Sequence, residues 1–271
     1  MRTGESASPR SKIFLVLRTT CPPKLKNPQR SRRVFQNALP TGEPLPEKVK
    51  TIPSPDSSNW LLWQLADSAF PTGSFAHSAG LEAAWQHHEV RQRTELVTFI
   101  EASLDQLGHA SLPFVTAAFD APEKSNELDS LCDVFTTNHV ANRASRAQGR
   151  AFLLAVKRIH NSESVMLGAE FAFAHFAPVF GVCLRGLALP RETALRMFFF
   201  NHLRGVLAAA VRLNIVGPME AQALQRALSP TAEMILKQCE ALPLHEISQT
   251  APLLDIWQGA QDRLYSRLFQ S

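Results

Sequence analysis

From residue 58 onward, apolar side chains recur three and four positions apart almost without interruption, and no run of alternating β-branched residues sits between hairpin turns. This pattern predicts an all-α fold, a single helical-bundle domain over residues 58–271. Leu61, Leu62, Leu65, Ala66 and Ala69 mark a first helix starting near Asn59, with Ser58 and Asn59 as N-cap residue types and Pro71 as its stop. Gly73 then allows a sharp reversal, and Leu81, Ala84 and Trp85 begin a second helix packed back on the first. His77 and Ser78 stand at its opening, where backbone N–H groups lack partners and an anion would be welcome.

Farther along, Thr94 is placed to cap a helix through Leu96, Phe99, Ile100, Leu104 and Leu107 that is expected to end at Gly108. Pro113 suits the first turn of the next helix, and Asp120-Ala121-Pro122 ends it. Residues 128–141 and 144–159 form a helical pair or one bent helix, on which Arg143, Arg146 and Arg150 share a face. The unusually apolar stretch 171–187 is expected at the centre of the bundle, its glycines permitting close helix approach. A long helix over 191–216 carries the stripe Leu203, Leu207, Ala210 and Leu213, and Gly217-Pro218 is expected to stop it. Ser229-Pro230 is expected to open another helix and Leu242-Pro243 to close it. In a last helix over 252–269, Leu253, Trp257, Leu264 and Leu268 fall on one stripe beside Tyr265 and Phe269.

Charge changes the picture at one end only. The formal net charge is +4, but residues 1–50 hold 11 Lys/Arg against 3 Asp/Glu, leaving 17 against 21 in the remainder. The basic character therefore belongs to the first segment, and the body offers no basic face for nucleic acid. Residues 1–57 also hold nine of the 18 prolines and no sustained periodicity, so a disordered basic leader is expected there. Its Arg-rich, acid-poor start suits an organelle transit peptide, although Pro22, Pro23 and Pro28 interrupt any long amphipathic helix. The four cysteines, Cys21, Cys132, Cys183 and Cys239, give neither zinc spacing nor a disulfide framework, which fits a reducing cytoplasm. No apolar run approaches the roughly 20 residues a bilayer requires.

Candidate chemistry is sparse. There is no Gly-Lys-Ser/Thr phosphate loop, no G-x-G-x-x-G and no nucleophile elbow, so nucleotide hydrolysis would fall to a partner. Ser74 or Ser78 with His77 is the one suggestive nucleophile and base pairing, which keeps open a small helical hydrolase or anion-binding enzyme with its site at Gly73 to Ser78. His87 and His88 are adjacent and project about 100° apart on a helix, and no H-x-x-x-H pair is present, so no dedicated metal site is expected in the isolated chain.

One stretch says more than local chemistry. Leu62, Gln64, Leu65, Asp67, Ser68, Pro71, Gly73, Phe75, Ala76, His77, Ser78, Gly80, Leu81 and Glu82 together resemble the signature of the UreF family of urease accessory proteins. The departure is Ser74, where that family usually has a second glycine. Ala144-Ser145-Arg146 with Gly149-Arg150-Ala151, the element around His175 and Pro178, and Ala209-Ala210-Val211-Arg212-Leu213 are similar to further family motifs. The ending Leu264-Tyr265-Ser266-Arg267-Leu268-Phe269 resembles the family terminus, except that Gln261-Asp262 replaces His-Glu.

The resemblance implies a non-enzymatic adaptor and chaperone, a homodimer that assembles with a UreD/UreH-type protein and the GTPase UreG to deliver nickel to apo-urease. No cofactor is then stably bound, nickel being handled by the complex, and neither nucleic acid nor membrane is a partner. Tyr265, Arg267, Leu268 and Phe269 at the chain end, with Arg146 and Arg150, are the candidate partner-binding residues, the surfaces of 171–187 and 191–216 being the candidates for self-association. Pro71, Gly73, Phe75, His77, Ser78, Gly80 and Glu82 form the structural motif.

Overall fold

The computed structural model describes residues 55–160 and 168–271, so residues 1–54 of the expected leader lie outside the described residues. Among the described residues the chain is helical and has no strand. It runs through α1 (Pro55–Ala66), α2 (Leu81–Gln86), α3 (Arg93–Gln106), α4 (Leu112–Asp120) and α5 (Ser125–Phe135), then α6 (His139–Ile159), α7 (Phe176–Gly186), α8 (Arg191–Arg212), α9 (Pro218–Cys239) and α10 (Pro252–Ala260). None of these helices is long and apolar enough to cross a membrane.

The centre of the bundle is α7, as its composition suggests. Every residue from Ala177 to Leu184 is buried, with α4 and α6 packed closest. Gly181 makes that approach feasible, because a Cβ there would stand 2.4 Å from the carbonyl oxygen of Val115 on α4. Gly149 on α6 plays the same part against the entry to α7, where a Cβ would come 2.0 Å from the carbonyl oxygen of Ala174. The rings of Phe176 and Phe180 on α7 stack, tilt or meet edge-on with those of Phe152 and Phe198 at 5.3–5.9 Å between centroids, filling the core with large apolar area. Leu203, Leu207 and Ala210 on α8 and Leu213 at its C-cap are buried as expected. Burial of α7 also removes it from the surface, so it cannot supply a self-association face.

Polar groups set the orientation of the central helices. The fully buried carboxylate of Asp129 accepts from the backbone N–H groups of Phe173, Ala174 and His175 at 2.6, 2.9 and 2.7 Å, tying α5 to the start of α7. Buried His175 continues the link, with Nε2 3.0 Å from Asp133 Oδ1 and Nδ1 3.1 Å from Ser145 Oγ on α6. These bonds satisfy donors that would otherwise be stranded in an apolar core.

Several boundaries differ from the expected ones for identifiable reasons. Helix α1 begins at Pro55 rather than near Asn59, since proline suits a first helical position. It ends at Ala66, ahead of Pro71, where Asp67 Oδ1 accepts from the N–H of Ala69 at 2.8 Å in an Asx turn. Gln92 rather than Thr94 caps α3, with Glu95 completing a capping box. Gly108 does not end that helix: the chain passes through a π-helical turn, Leu107–Ser111, into α4. The glycine serves packing instead, because a Cβ would meet Ile235 of α9 at 2.8 Å. Helices α5 and α6 part at 136–138, where Asn138 accepts from the N–H groups of Val140 and Ala141. Gly217-Pro218 opens α9 rather than stopping α8, which has already ended at Arg212. Pro230 lies inside α9 on its exposed side, where the carbonyl it cannot pair faces water. The last helix stops at Ala260, and after a 3₁₀ turn, Gln261–Arg263, the chain leaves helical geometry, so Leu264 and Leu268 do not continue a stripe with Leu253 and Trp257.

Candidate functional site

The loop between α1 and α2 is built from short polar bonds and two left-handed glycines. Gly73 has φ 70° and leads into a 3₁₀ turn over Ser74–Ala76, while Gly80 has φ 87° and leads into α2. Gly80 is confined as well as twisted, since a Cβ would lie 3.0 Å from the backbone nitrogen of Gln258 on α10. Ser74 stands at negative φ, so the second glycine typical of the resembled signature is not needed here. Its hydroxyl accepts from Thr72 Oγ1 at 2.9 Å, and its N–H donates to the same Thr72 oxygen.

What this loop holds is the end of the chain. Glu82, buried at the first turn of α2, accepts from the backbone N–H groups of Leu268 at 2.6 Å and Phe269 at 3.0 Å. The same carboxylate accepts from the side-chain amide of buried Gln261 at 2.6 Å. Thus Gln261, where the resembled terminus has histidine, serves as a donor of the kind an imidazole would provide. Upstream in the loop, Ala76 accepts from the N–H of Gln270 at 2.8 Å, and both the N–H and the hydroxyl of Ser78 donate to the main-chain oxygen of Ser271. Phe269, only 4% exposed, lies under the guanidinium of Arg212 at 4.1 Å, and Arg212 also donates to the carbonyl of Phe75. The helix mouth offered to an anion is therefore filled by the chain's own tail.

His77 faces the same tail, with Nδ1 hydrogen-bonded to Ser271 Oγ. Burial, and then the positive charge of Arg143, hold its pKa down to about 4. No Ser74–His77 or Ser78–His77 hydrogen bond occurs, because Ser78 Oγ is committed to Ser271 and to the N–H of Glu82. Beyond His77 a cavity of about 250 Å³ of mixed lining reaches into the bundle, where hydroxyls, amides and a second imidazole, His202, stand among apolar side chains such as Phe135, Phe198 and Leu254. Burial lowers the pKa of His202 to about 4, and its Nε2 lies 2.6 Å from Ser103 Oγ. The buried Asn201 Oδ1 beside it has no partner among the described residues, and a cavity so lined suits ordered water. No group of three or more His, Cys, Asp or Glu that could hold a metal occurs among the described residues.

The tail leaves an apolar surface outside. Leu268 is 51% exposed and Tyr265 fully so, while Leu253 and Ile256 on α10 are 65% and 59% exposed. Of the four residues expected to bind a partner from a terminal helix, the fold thus turns Tyr265, Arg267 and Leu268 outward and Phe269 inward. On the far side of Asp262 lies a groove along α6 that contains Arg143, Arg146 and Arg150, as their spacing indicated. Asp262 binds Arg143 through two bonds of 2.8 and 3.1 Å and also pairs with Arg267 at 3.1 Å. Arg212, Asp129 and Ser271 were not singled out by their residue types. Only the placing of Arg212 in an apolar Ala-Ala-Val-Arg-Leu run signals an arginine with a buried-side duty.

Comparison with known proteins gives a consistent answer. The UreF family model matches residues 90–229, a stretch that excludes both halves of the clasp formed where the α1–α2 loop and Glu82 hold the tail. The urease accessory protein F of Arabidopsis thaliana is 41% identical over 221 residues, spanning 78% of this chain and 92% of the relative. Its counterpart from Oryza sativa subsp. japonica is 37% identical over 221 residues, spanning 78% of this chain and 85% of the relative. The urease accessory protein UreF of Trichodesmium erythraeum is similar at 27% identity over 229 residues, 80% of this chain and 99% of its own.

Proposed function

The chain belongs to the UreF family of urease accessory proteins, and from that premise we propose that it acts in urease maturation as a non-enzymatic adaptor. In this reading it assembles with a UreD/UreH-type protein and the GTPase UreG, and the assembly delivers nickel to apo-urease in step with GTP turnover. Nickel is cargo of the complex and not a resident cofactor of this chain. A cytoplasmic homodimer is the expected form, with α8, whose Phe200 is exposed, as a candidate contact. The absence of any phosphate-binding loop motif in the sequence supports leaving nucleotide hydrolysis to the partner.

The observation that carries this reading is that Tyr265 and Leu268 stand exposed on a tail that the signature loop fixes in place. Exposed aromatic and aliphatic side chains grouped on an ordered element are typical anchors of protein interfaces. The test is co-purification with the UreD/UreH-type protein after Tyr265→Ala and Leu268→Ala together. Because both side chains project outward, the melting midpoint should stay within a degree or two while the complex is lost. Retention of the complex would remove this surface from the interface, and urease activation by the variant at the wild-type level would remove it from the function.

A further inference from the structure

The groove along α6 has a composition at odds with the acidic body that carries it. Three arginines stand one helical turn apart at 143, 146 and 150, and His139 extends the row toward the start of the helix. Their pairing is uneven. Arg143 is committed to Asp262 through two short bonds. Arg146 lies over the Phe173 ring at 5.1 Å and reaches Asp133 only at 3.8 Å, because that carboxylate already accepts from Asn142 at 2.9 Å and is bonded to His175 at 3.0 Å. Arg150 is exposed and makes no ion pair or hydrogen bond among the described residues. The groove thus holds one oriented and one unengaged guanidinium on a rigid helix, flanked by the hydroxyls of Thr136 and Thr137.

We propose that this groove docks an acidic polypeptide segment of a partner protein, with two of its carboxylates seated on Arg146 and Arg150. Guanidinium groups recognise carboxylates through paired N–H donors, and Arg146, placed over the Phe173 ring, loses less freedom on binding than an unsupported side chain would. A short run of carboxylates fits better than a nucleic-acid strand. Asp133 and Asp262 border the groove, and the rest of the body is net negative, so a long polyanion would be repelled once it left the arginines. The proposal rests on the reading of the chain as an assembly factor, and adds which surface meets a partner and by what chemistry.

The test uses the full chain and a fluorescein-labelled peptide rich in Glu and Asp, followed by anisotropy at low and at physiological salt. A peptide with Gln and Asn at the same positions and a single-stranded oligonucleotide are the comparisons. Saturable binding of the acidic peptide is expected, weakened about threefold or more by Arg150→Glu and about tenfold or more by Arg146→Glu with Arg150→Glu. Arg150→Lys should keep most of it. Arg150→Glu alone decides the matter if the double variant melts early, since Arg150 stands clear of the core. No saturable binding, equal binding by the Gln/Asn peptide or the oligonucleotide, or indifference to Arg150→Glu would each overturn the proposal. Urease activation by the wild-type chain is scored separately. Its failure there would overturn the adaptor reading, whereas normal activation with no peptide binding would overturn only the docking groove.

Discussion

Replacing Glu82 by alanine should release the tail while leaving the bundle folded. The carboxylate accepts three hydrogen bonds, two of them from the backbone of Leu268 and Phe269. Bonds to a charged acceptor contribute about 1.5–3 kcal/mol each, so loss of the two backbone bonds alone would cost about 3–6 kcal/mol. The tail can swing into water and rehydrate those amides, which holds the loss near the lower end, about 3 kcal/mol. For a domain of this size that is a fall of roughly 6–12 °C in Tm. Glu82→Gln should be nearly as damaging, because its amide presents donor hydrogens to one of two groups of donors, Leu268 on one side or Gln261 and Phe269 on the other. Hydrogen exchange resolves the mechanism. The amides of Leu268, Phe269 and Gln270 should lose protection in both variants, while those of α4 and α7 keep theirs. If the tail amides stayed protected, or if α7 lost protection in step with them, Glu82 would not be clasping a separable segment.

Acidification should weaken the fold between about pH 6.5 and pH 4. His77 and His202 have native pKa values of about 4, so the unfolded chain binds the extra protons in that window, and stability rises with pH across it. His202 alone should account for about 3 kcal/mol by pH 4, measurable as urea midpoints at a series of pH values, and His202→Gln should flatten the profile. Gly181→Ala should lower stability by about 2–4 kcal/mol in a denaturant melt, since its Cβ would drive α7 away from the Val115 carbonyl of α4. Pro230→Ala should instead raise the melting midpoint, by about 1 kcal/mol or more in stability, by returning a missing backbone bond to the middle of α9.

The sequence carried the class of fold and the position of its centre, because both depend on apolar periodicity summed over many residues. Where it misled, one residue type had two physical uses. Gly108 has the composition of a helix stop but fills a contact with α9 too tight for a side chain. Pro230 and Gly217-Pro218 both suit helix starts, and only the second is one, since nothing local distinguishes a proline tolerated on an exposed helix face from one that begins a turn. At the clasp, the signature residues were legible as a group, yet their partners lie almost two hundred positions away, beyond the reach of any local pattern. The same distance hid the end of α10: Leu264 and Leu268 keep helical spacing with Trp257, but Gln261 turns inward to Glu82 and the chain leaves the helix.

The clasp also sets an order of events in time. Glu82 and Leu268 are 186 residues apart, so at about 5–20 residues per second the acceptor waits roughly 10–40 s during synthesis for the donors that complete it. Until then the carboxylate must remain hydrated, and the loop around it cannot settle early. Closing so long a span is an entropic cost met late, when α4, α6 and α7 have already gathered the intervening chain. Glu82 should therefore show a φ-value near zero in refolding, with its substitutions speeding unfolding and leaving the folding rate almost untouched. The last stretch to settle is also the one that carries Tyr265 and Leu268, so newly made chains would pass through an interval in which the bundle exists and its outward-facing tail surface does not.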